Sequence, residues 1–318
     1  MLFTIDRVKS VLKAGIALLL IGSSFAIAEE SQDETSVKFV RYGLLGEEKP
    51  GIIDAQNHIR DISALIEDIT PATISSGRLN DIASMEITKF PLVSKDQRLG
   101  VPVNGVGKIV AVGFNYMDHI KETGQEVPKE PIVFMKSTTS LSGPNDDVMI
   151  PKNAEMVDWE VELAIVIAKT ARYVEEADAA EYILGYTIGN DVSERAFQMY
   201  RGGQFVKGKS ADTFAPIGPY IALRDNVDAN NLHVWLDVNG ERQQDSNTKH
   251  LIFNPEYLVS YLSSFMTLEP GDIVLTGTPG GIGGFQDPPK FLNPGDVVKL
   301  GIFGLGTQKQ TVVPYTPQ

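Results

Sequence analysis

The sequence predicts a mainly β, α+β fold: a β-rich roll or sandwich with peripheral helices, preceded by a small N-terminal domain. Most apolar stretches after about residue 105 are short and bounded by glycine, proline, asparagine or aspartate, as strands are. In that part of the chain only four stretches have helical spacing, so strands and helices do not alternate as in a doubly wound sheet. Asn239-Gly240 between two such stretches is typical of a two-residue hairpin.

The predicted elements follow in order along the chain. Residues 37–103 contain short apolar runs broken by turn residues, which predict a β-meander, and a helical pattern interrupted by Pro71. Further strands are predicted in "KIVAVGFNY", "PIVFMK", "VELAIVIA", "ILGYTIGND", "GPYIAL", "HVWLDVNG", "DIVLTGTPGGIG" and "DVVKLGIFGLG". Helices are predicted around Tyr116–Glu122, Val174–Tyr182, Val192–Tyr200 and Pro255–Met266. We therefore divide the chain into a small domain, residues 37–103, and a larger one, residues 104–318.

The first 28 residues are typical of an export signal. Basic residues among the first 13 precede an apolar stretch, residues 14–28, that ends on Ala26-Ile27-Ala28, small residues at the positions a signal peptidase requires. This stretch is shorter than the roughly 20 residues of a spanning helix, although an uncleaved anchor is the alternative. We expect cleavage after Ala28, a periplasmic or secreted protein without stable membrane insertion, and an acidic linker over residues 29–36.

Composition excludes several classes of function. The 318-residue chain has a formal charge of −13, which disfavours nucleic-acid binding, and no cysteine for disulfides, thiolate metal sites or nucleophiles. "GQFVKGKS", residues 203–210, has the letters of a phosphate-binding loop. That loop requires a strand before it and a helix after it, whereas a helical pattern precedes this segment and Pro216 and Pro219 follow it. Dinucleotide and nucleophile-elbow motifs are also absent from the sequence.

Two glutamates begin a predicted buried strand. Because strand side chains alternate, Glu160 and Glu162 face one way, and Trp159, Val161 and Leu163 face the other. Two buried carboxylates on one face repel each other and lose hydration, unless a cation lies between them. Oxygen ligands suit hard divalent cations. The alternative is an edge strand with solvated glutamates.

A third carboxylate, Asp191, ends the strand in "ILGYTIGND", just before a predicted helix. Asp191 could be the N-cap of that helix, with Glu194 completing a capping box. Arg195 and Gln198, four and seven residues later, would share one helical face with it. Arg195 could grip a substrate carboxylate through two hydrogen bonds, or form an ordinary surface ion pair.

Four motifs, "DWEVELAIVIAK", "GYTIGNDVSERAFQ", "KGKSADTFAPIGP" and "LTGTPGGIG", resemble in order and spacing the fumarylacetoacetate hydrolase family. The resemblance covers about Gly105 to Val313, and "VRYGLLGEEKPGIIDAQNHIRDIS" resembles the N-terminal module of bacterial members. It implies the β-rich fold of that family's C-terminal domain, a homodimer, and a divalent metal ion, Mg²⁺ or Mn²⁺ with Ca²⁺ as a third option. The implied ligands are Glu160, Glu162 and Asp191.

The resemblance also implies roles for other residues. Lys209 would hold a keto or enolate oxygen, although it could be a surface lysine, and Thr278 would contact substrate or only stabilise a turn. "AVGFNYMDHIKETG" resembles a substrate-closing segment. There His119 would act as general base with Glu122, three residues later on the same side of a helix, unless the two form a surface pair. Lys136 would be a further substrate contact.

Together these residues and the resemblance imply a divalent-metal-dependent hydrolase that cleaves a carbon–carbon bond in 2,4-diketo acids of the acylpyruvate type. A small 2-keto acid would chelate the ion, Arg195 and Gln198 would hold its polar groups, and His119 with Glu122 would activate water. The same site could serve a lyase, decarboxylase or keto–enol isomerase acting on ureidoglycolate, hydroxyhepta-diene-dioate or a similar acid. A non-catalytic periplasmic keto-acid binding protein is the alternative of another class. Export is unexpected for a family usually found inside cells.

Overall fold

The described chain is dominated by strands, which confirms the predicted α+β fold class. The structure is a computed structural model and describes residues 37–94 and 96–317. The predicted export signal, residues 1–28, and the predicted linker, residues 29–36, lie outside the described residues. Within the described ranges, no helix combines the length and the apolar character that crossing a membrane requires.

The strands are numbered along the chain. They are β1 Lys38–Tyr42, β2 Lys49–Ile53, β3 Ile59–Asp61, β4 Ile109–Gly113, β5 Ile132–Lys136, β6 Leu141–Ser142, β7 Val148–Met149, β8 Val157–Asp158, β9 Val161–Ile167, β10 Ile183–Asn190, β11 Ser193–Glu194, β12 Ala215–Leu223, β13 His233–Val238, β14 Glu241–Asn247, β15 Ile273–Leu275, β16 Val297–Ile302 and β17 Gly306–Val313.

The α-helices are short and lie between the strands. They are α1 Pro71–Ser75, α2 Arg78–Ala83, α3 Met117–Thr123, α4 Arg195–Tyr200, α5 Val206–Lys209 and α6 Pro255–Ser263. Single 3₁₀ turns cover Ile87–Lys89, Thr138–Ser140, Arg224–Asn226, Thr248–His250 and Gly283–Phe285, and a longer 3₁₀ segment covers Glu176–Tyr182.

The strands form two large sheets and a small ribbon. One sheet has the order β3-β2-β1-β12-β10-β9-β15-β4-β5, with β6 attached to β12, and the second has the order β14-β13-β16-β17-β7. The pair β11-β8 forms the ribbon beside them. Most pairs are antiparallel, whereas β15 with β4, β12 with β6 and β17 with β7 are parallel.

Strand β9 lies at the centre of the larger sheet and is buried along its whole length. Val161, Leu163, Ile165 and Ile167 belong to the main core, together with residues of β13 and β16 such as Val234. The alternate residues enter other clusters, as Ala164 does with β4 and β15. Both faces are therefore covered, and this explains why the strand is an almost unbroken apolar run.

The segment 37–103 joins the same sheet through β1. Strand β1 pairs antiparallel with β12, with Lys38 opposite Ala222, and the described residues from 37 onward belong to one compact unit. The boundary between residues 103 and 104 stays a prediction. The Asn239-Gly240 hairpin between β13 and β14 is confirmed, and both residues have the positive φ, 53° and 81°, that a type I′ turn requires.

Two helix predictions need correction. The segment predicted as a helix over Val174–Tyr182 forms a 3₁₀ helix over Glu176–Tyr182. The helix predicted over Val192–Tyr200 begins only at Arg195, because Ser193 and Glu194 pair with β8 as a strand. The capping residue is therefore Glu194, whose side chain accepts from the Phe197 N–H, and not Asp191.

Candidate active site

The register between β9 and β10 brings three carboxylates together. Glu162 lies opposite Gly189, and two residues further along each strand the Asp191 N–H donates to the Glu160 carbonyl at 2.8 Å. We call Glu160, Glu162 and Asp191 the carboxylate triad. One carboxylate oxygen from each of them lies within 4.8 Å of the other two, and all three residues are buried. The prediction that Glu160 and Glu162 face one way is confirmed, and the solvated edge-strand alternative is wrong, because both glutamates are buried and β9 lies inside the sheet.

Two glycines allow this close approach. A Cβ atom on Gly189 would lie 2.4 Å from Cδ2 of Leu275, so a side chain opposite Glu162 would collide with β15. Gly277 adopts φ +100°, and its N–H donates to Oε2 of Glu162 at 2.8 Å. Only glycine adopts that conformation at little cost, so the loop after β15 can place a backbone donor on the carboxylate.

Buried cations surround two members of the triad. Lys209 Nζ donates to Oε2 of Glu160 and Oδ2 of Asp191, both at 2.6 Å. Arg195 Nη2 donates to Oε1 of Glu160 at 2.6 Å, and Lys136 Nζ donates to Oδ1 of Asp191 at 2.5 Å. Among residues 37–94 and 96–317, no lysine or arginine forms a salt bridge with Glu162. Its charge is thus the least compensated of the three.

The electrostatics follow from these contacts. Burial, reinforced by the charges of Asp191 and Glu160, raises the pKa of Glu162 well above its ordinary value. Burial also acts against the ionised form of Glu160, but Lys209 and Arg195 outweigh it and lower the pKa of that residue. In the metal-free site Glu162 therefore favours its protonated form. The proton removes the negative charge that a bound cation would otherwise have to compensate.

The donor set fits a hard divalent cation. It consists of carboxylate oxygens alone, which Mg²⁺ and Mn²⁺ prefer, and three monodentate ligands leave three positions of an octahedral ion for a bidentate substrate and water. A cation at Glu162 would also supply the positive charge that this carboxylate lacks.

The raised pKa of Glu162 predicts how the metal-free protein responds to pH. A carboxyl group that holds its proton more tightly when folded stabilises the protein below its unfolded pKa of about 4.3, and this contribution is lost as pH rises through the folded value. Within that window we expect the free energy of unfolding to fall by up to about 1.4 kcal/mol per pH unit from this group. Urea unfolding in chelator at a series of pH values measures it.

The control for this pH dependence is Glu162→Gln, which cannot titrate and should show a flatter profile. Because metal binding needs the ionised carboxylate, Mn²⁺ affinity should increase with pH over the same window. An identical pH profile in wild type and Glu162→Gln would contradict the assignment of the proton to this residue.

Arg195 is held in place by three side chains. Besides Glu160, its Nε donates to Oδ2 of Asp158 at 2.8 Å and its Nη1 to Oε1 of Gln198 at 3.0 Å. The prediction that Arg195 and Gln198 share one helical face is confirmed, and Arg195 is not a surface ion pair. Whether either residue contacts substrate stays a prediction. Asp191 precedes α4 and does not share its face, since the helix begins at Arg195.

His119 lines the same cavity and is bonded to Glu122. His119 Nδ1 is 3.0 Å from Oε2 of Glu122, and Oε1 of Glu122 accepts from the Gly281 N–H at 2.9 Å. The imidazole stacks on Phe114 at 5.2 Å and meets the edge of Phe285 at 5.3 Å. His119 is 3% exposed, so the histidine of the pair does not lie on the surface, whereas Glu122 is exposed.

Of the two other predicted substrate contacts, Thr278 lines the cavity and Lys136 lies behind Asp191. Lys136 lies fully buried behind Asp191, where it also donates to the Val192 carbonyl, and it is not among the described residues that line the cavity. Thr278 lines the cavity; its hydroxyl donates to the Val161 carbonyl and accepts from Nε2 of Gln244. Their predicted contacts with substrate remain predictions.

A cavity of about 260 Å³ opens onto this cluster. Its lining includes two members of the triad, Glu160 and Glu162, together with His119 and Lys209. The segment "GQFVKGKS", residues 203–210, does not form a phosphate loop. It places Lys209 at the site, at the end of the four-residue helix α5. One wall of the cavity can orient an anionic substrate, and the other can exchange a proton.

Sequence reasoning missed two residues that position this site. Asp158 accepts from the N–H groups of Gly283 and Gly284, both at 2.9 Å, and also from Arg195. It therefore links the guanidinium of Arg195 to the loop that contains Phe285. Gln244, from the facing sheet, donates to Thr278. The acid two residues before Glu160 was a visible signal for Asp158, whereas Gln244 has no sequence signal.

A strand-rich α+β fold with a buried carboxylate triad, next to a cavity that His119 also lines, places the protein among enzymes whose site can hold a divalent cation. Residues 108–313 match the sequence profile of the family described as "Fumarylacetoacetate (FAA) hydrolase C-terminal". A protein of Burkholderia ambifaria, named only as a hydrolase, is 49% identical over 277 residues, which is 86% of this chain and 98% of the relative. The chain belongs to the fumarylacetoacetate hydrolase family.

Solved structures of the family have the same fold. The fumarylacetoacetate hydrolase of the psychrophile Exiguobacterium antarcticum superposes with a TM-score of 0.79 at 32% identity, over 88% of this chain and 100% of that one. The 2-hydroxyhepta-2,4-diene-1,7-dioate isomerase of Mycobacterium marinum has a TM-score of 0.68 at 32% identity, covering 89% and 100%. The maleylpyruvate hydrolase of Sphingobium sp. SYK-6, in complex with manganese(II) and pyruvate, has a TM-score of 0.73 at 28% identity, covering 88% and 100%.

Proposed function

We propose that the protein is a divalent-metal-dependent hydrolase that cleaves a carbon–carbon bond in 2,4-diketo acids of the acylpyruvate type. The observation that carries the proposal is the cavity lined by Glu160 and Glu162 of the carboxylate triad and by His119, which would set a cation beside a proton acceptor. The hydrolase name of the Burkholderia relative and the manganese and pyruvate in the Sphingobium structure support it.

The charged end of the substrate is expected at the triad. Mg²⁺ or Mn²⁺ held by Glu160, Glu162 and Asp191 would act as a Lewis acid toward the carboxylate and keto oxygens of a 2-keto acid. Lys209 Nζ, between Glu160 and Asp191, would donate a hydrogen bond to the keto oxygen and stabilise negative charge that develops there. Arg195, fixed by Asp158, holds Glu160 in place.

His119 is the proposed general base. Its Nδ1 is bonded to Glu122, which leaves Nε2 to accept a proton from water. The resulting hydroxide attacks the carbonyl carbon at position 4, the bond between carbons 3 and 4 breaks, and the electron pair leaves with the pyruvate half as its enolate. A proton returned to carbon 3 gives pyruvate, and the acyl half leaves as a carboxylic acid. The Glu122–Gly281 bond holds the base in position during the transfer.

Turnover of acylpyruvates tests the proposal. We expect purified protein with Mn²⁺ or Mg²⁺ to consume the enol absorbance of acetylpyruvate or a longer homologue and to release one pyruvate per substrate, detected with lactate dehydrogenase. Chelator should abolish both signals, and added metal should restore them. Metal-dependent loss of absorbance without pyruvate would instead identify an isomerase, which the likeness to the Mycobacterium marinum enzyme makes the second candidate. Keto-acid binding without any conversion would identify a binding protein.

Export to the periplasm and assembly as a homodimer are further proposals, supported by the signal-like first 28 residues and by the family resemblance. The proposed chemistry depends on neither of them.

A further inference from the structure

The cavity has two chemically different ends. The triad, Lys209 and Arg195 form the polar end. The rest of the wall is largely apolar and aromatic; its residues include Phe114, Phe134, Met199, Tyr200, Phe205 and Phe285. A substrate whose 2-keto acid end binds the polar residues must direct its other end along this apolar wall.

The lysine and arginine side chains that line the cavity already form ion pairs with carboxylates of the protein. Lys209 and Arg195 are the lysine and arginine side chains among the described residues that line it, and both donate to carboxylates of the polar end. Lys209 Nζ also lies 5.0 Å from the centre of the Phe134 ring, on the floor of the cavity. Where the apolar wall is half-buried, at Phe114 and Phe134, a second substrate carboxylate would therefore lose part of its hydration without gaining an ion pair. The formal charge of −13 adds a general repulsion against extra negative charge.

We propose that the preferred substrate carries an uncharged, apolar acyl group, aliphatic or aromatic, and that the apolar wall discriminates against acyl groups that end in a carboxylate. This inference rests on the proposed hydrolysis of acylpyruvates and specifies the half of the substrate which that proposal leaves open. Met199 and Tyr200, at the end of α4, are the residues through which this selectivity can be changed, because both line the cavity and are largely exposed.

A matched pair of substrates tests the inference. Pentanoylpyruvate and succinylpyruvate have acyl groups of similar length, but only the second ends in a carboxylate. We expect kcat/KM for pentanoylpyruvate to be higher by roughly tenfold or more, because the terminal carboxylate is desolvated without a partner. Met199→Arg supplies that partner and should raise kcat/KM for succinylpyruvate by roughly tenfold. Met199→Leu, which keeps the wall apolar, should leave the preference unchanged.

Binding measurements separate failure of this inference from failure of the proposed reaction. Calorimetry of both compounds with the Mn²⁺-loaded protein reports their relative affinity whether or not they are cleaved. Preference in binding without turnover of either compound would refute the hydrolysis and leave the selectivity in place. Equal kcat/KM and equal affinity, or binding of neither compound, would overturn the selectivity. If Met199→Arg fails to fold, as judged by its thermal transition, Tyr200→Arg at the same helix end replaces it.

Discussion

Replacing Glu162 by glutamine is expected to lower Mn²⁺ affinity by roughly a hundredfold or more, since even residues beyond the ligands typically cost 10–100-fold. The substitution keeps the shape of the side chain and an oxygen that can accept from Gly277, but it removes the carboxylate charge with the least compensation in the triad. A hundredfold loss corresponds to about 2.7 kcal/mol of binding free energy. Calorimetric titration of the metal-free protein with Mn²⁺ measures it, and turnover at limiting metal should fall in parallel.

Two controls make the result for Glu162 specific. Glu155→Gln removes an exposed carboxylate near the same strand and should leave Mn²⁺ affinity unchanged. The metal-free Glu162→Gln protein should be no less stable at neutral pH than metal-free wild type, because the amide is uncharged and avoids repulsion from Glu160 and Asp191 without binding a proton. Unchanged metal affinity in Glu162→Gln would refute the metal site.

Replacing His119 by asparagine is expected to lower kcat by roughly 10²–10⁴-fold, the usual contribution of a general base. Asparagine can still donate to Glu122 but cannot accept the proton from water. Mn²⁺ affinity should remain within about twofold of wild type, because His119 bonds to Glu122 rather than to the triad. Steady-state kinetics at saturating metal, together with the metal titration, separate loss of the base from loss of the ion.

The matched control is His250→Asn, which changes an exposed histidine that does not line the cavity and should leave kcat unaltered. Glu122→Gln should give an intermediate loss, since it keeps the Gly281 contact but removes the charge that orients and stabilises the protonated imidazole. A kcat for His119→Asn close to that of wild type would show that another group removes the proton.

Local sequence patterns predicted most of the fold and the pairs of residues that are close along the chain. The apolar run of β9, the Asn239-Gly240 hairpin and the spacing of His119 and Glu122 follow from strand, turn and helix periodicity, which act within a few residues. Strand periodicity likewise places Glu160 and Glu162 on one face. The start of α4 could not be predicted, because pairing of Ser193 and Glu194 with β8 competes with helix formation there.

The family resemblance allowed Asp191 and Lys209 to be assigned to the site before their positions were known. The residues alone left each with an equally ordinary role, as a helix cap or a surface lysine. Positioning residues without a motif, such as Gln244 from the other sheet, were not found, since their partners lie far away in sequence.

Residue order along the chain is enough to predict that two carboxylates share a face of a buried strand, that a histidine and a glutamate share a helical turn, and that the chain resembles one enzyme family. That Glu160, Glu162 and His119 line one cavity becomes visible in the folded chain. The antiparallel register of β9 with β10 sets Asp191 beside Glu160, and buried Lys209 and Arg195 compensate the charges of the triad except at Glu162. The reason is that electrostatic cost and compensation depend on distances between groups far apart in sequence, which periodicity does not report.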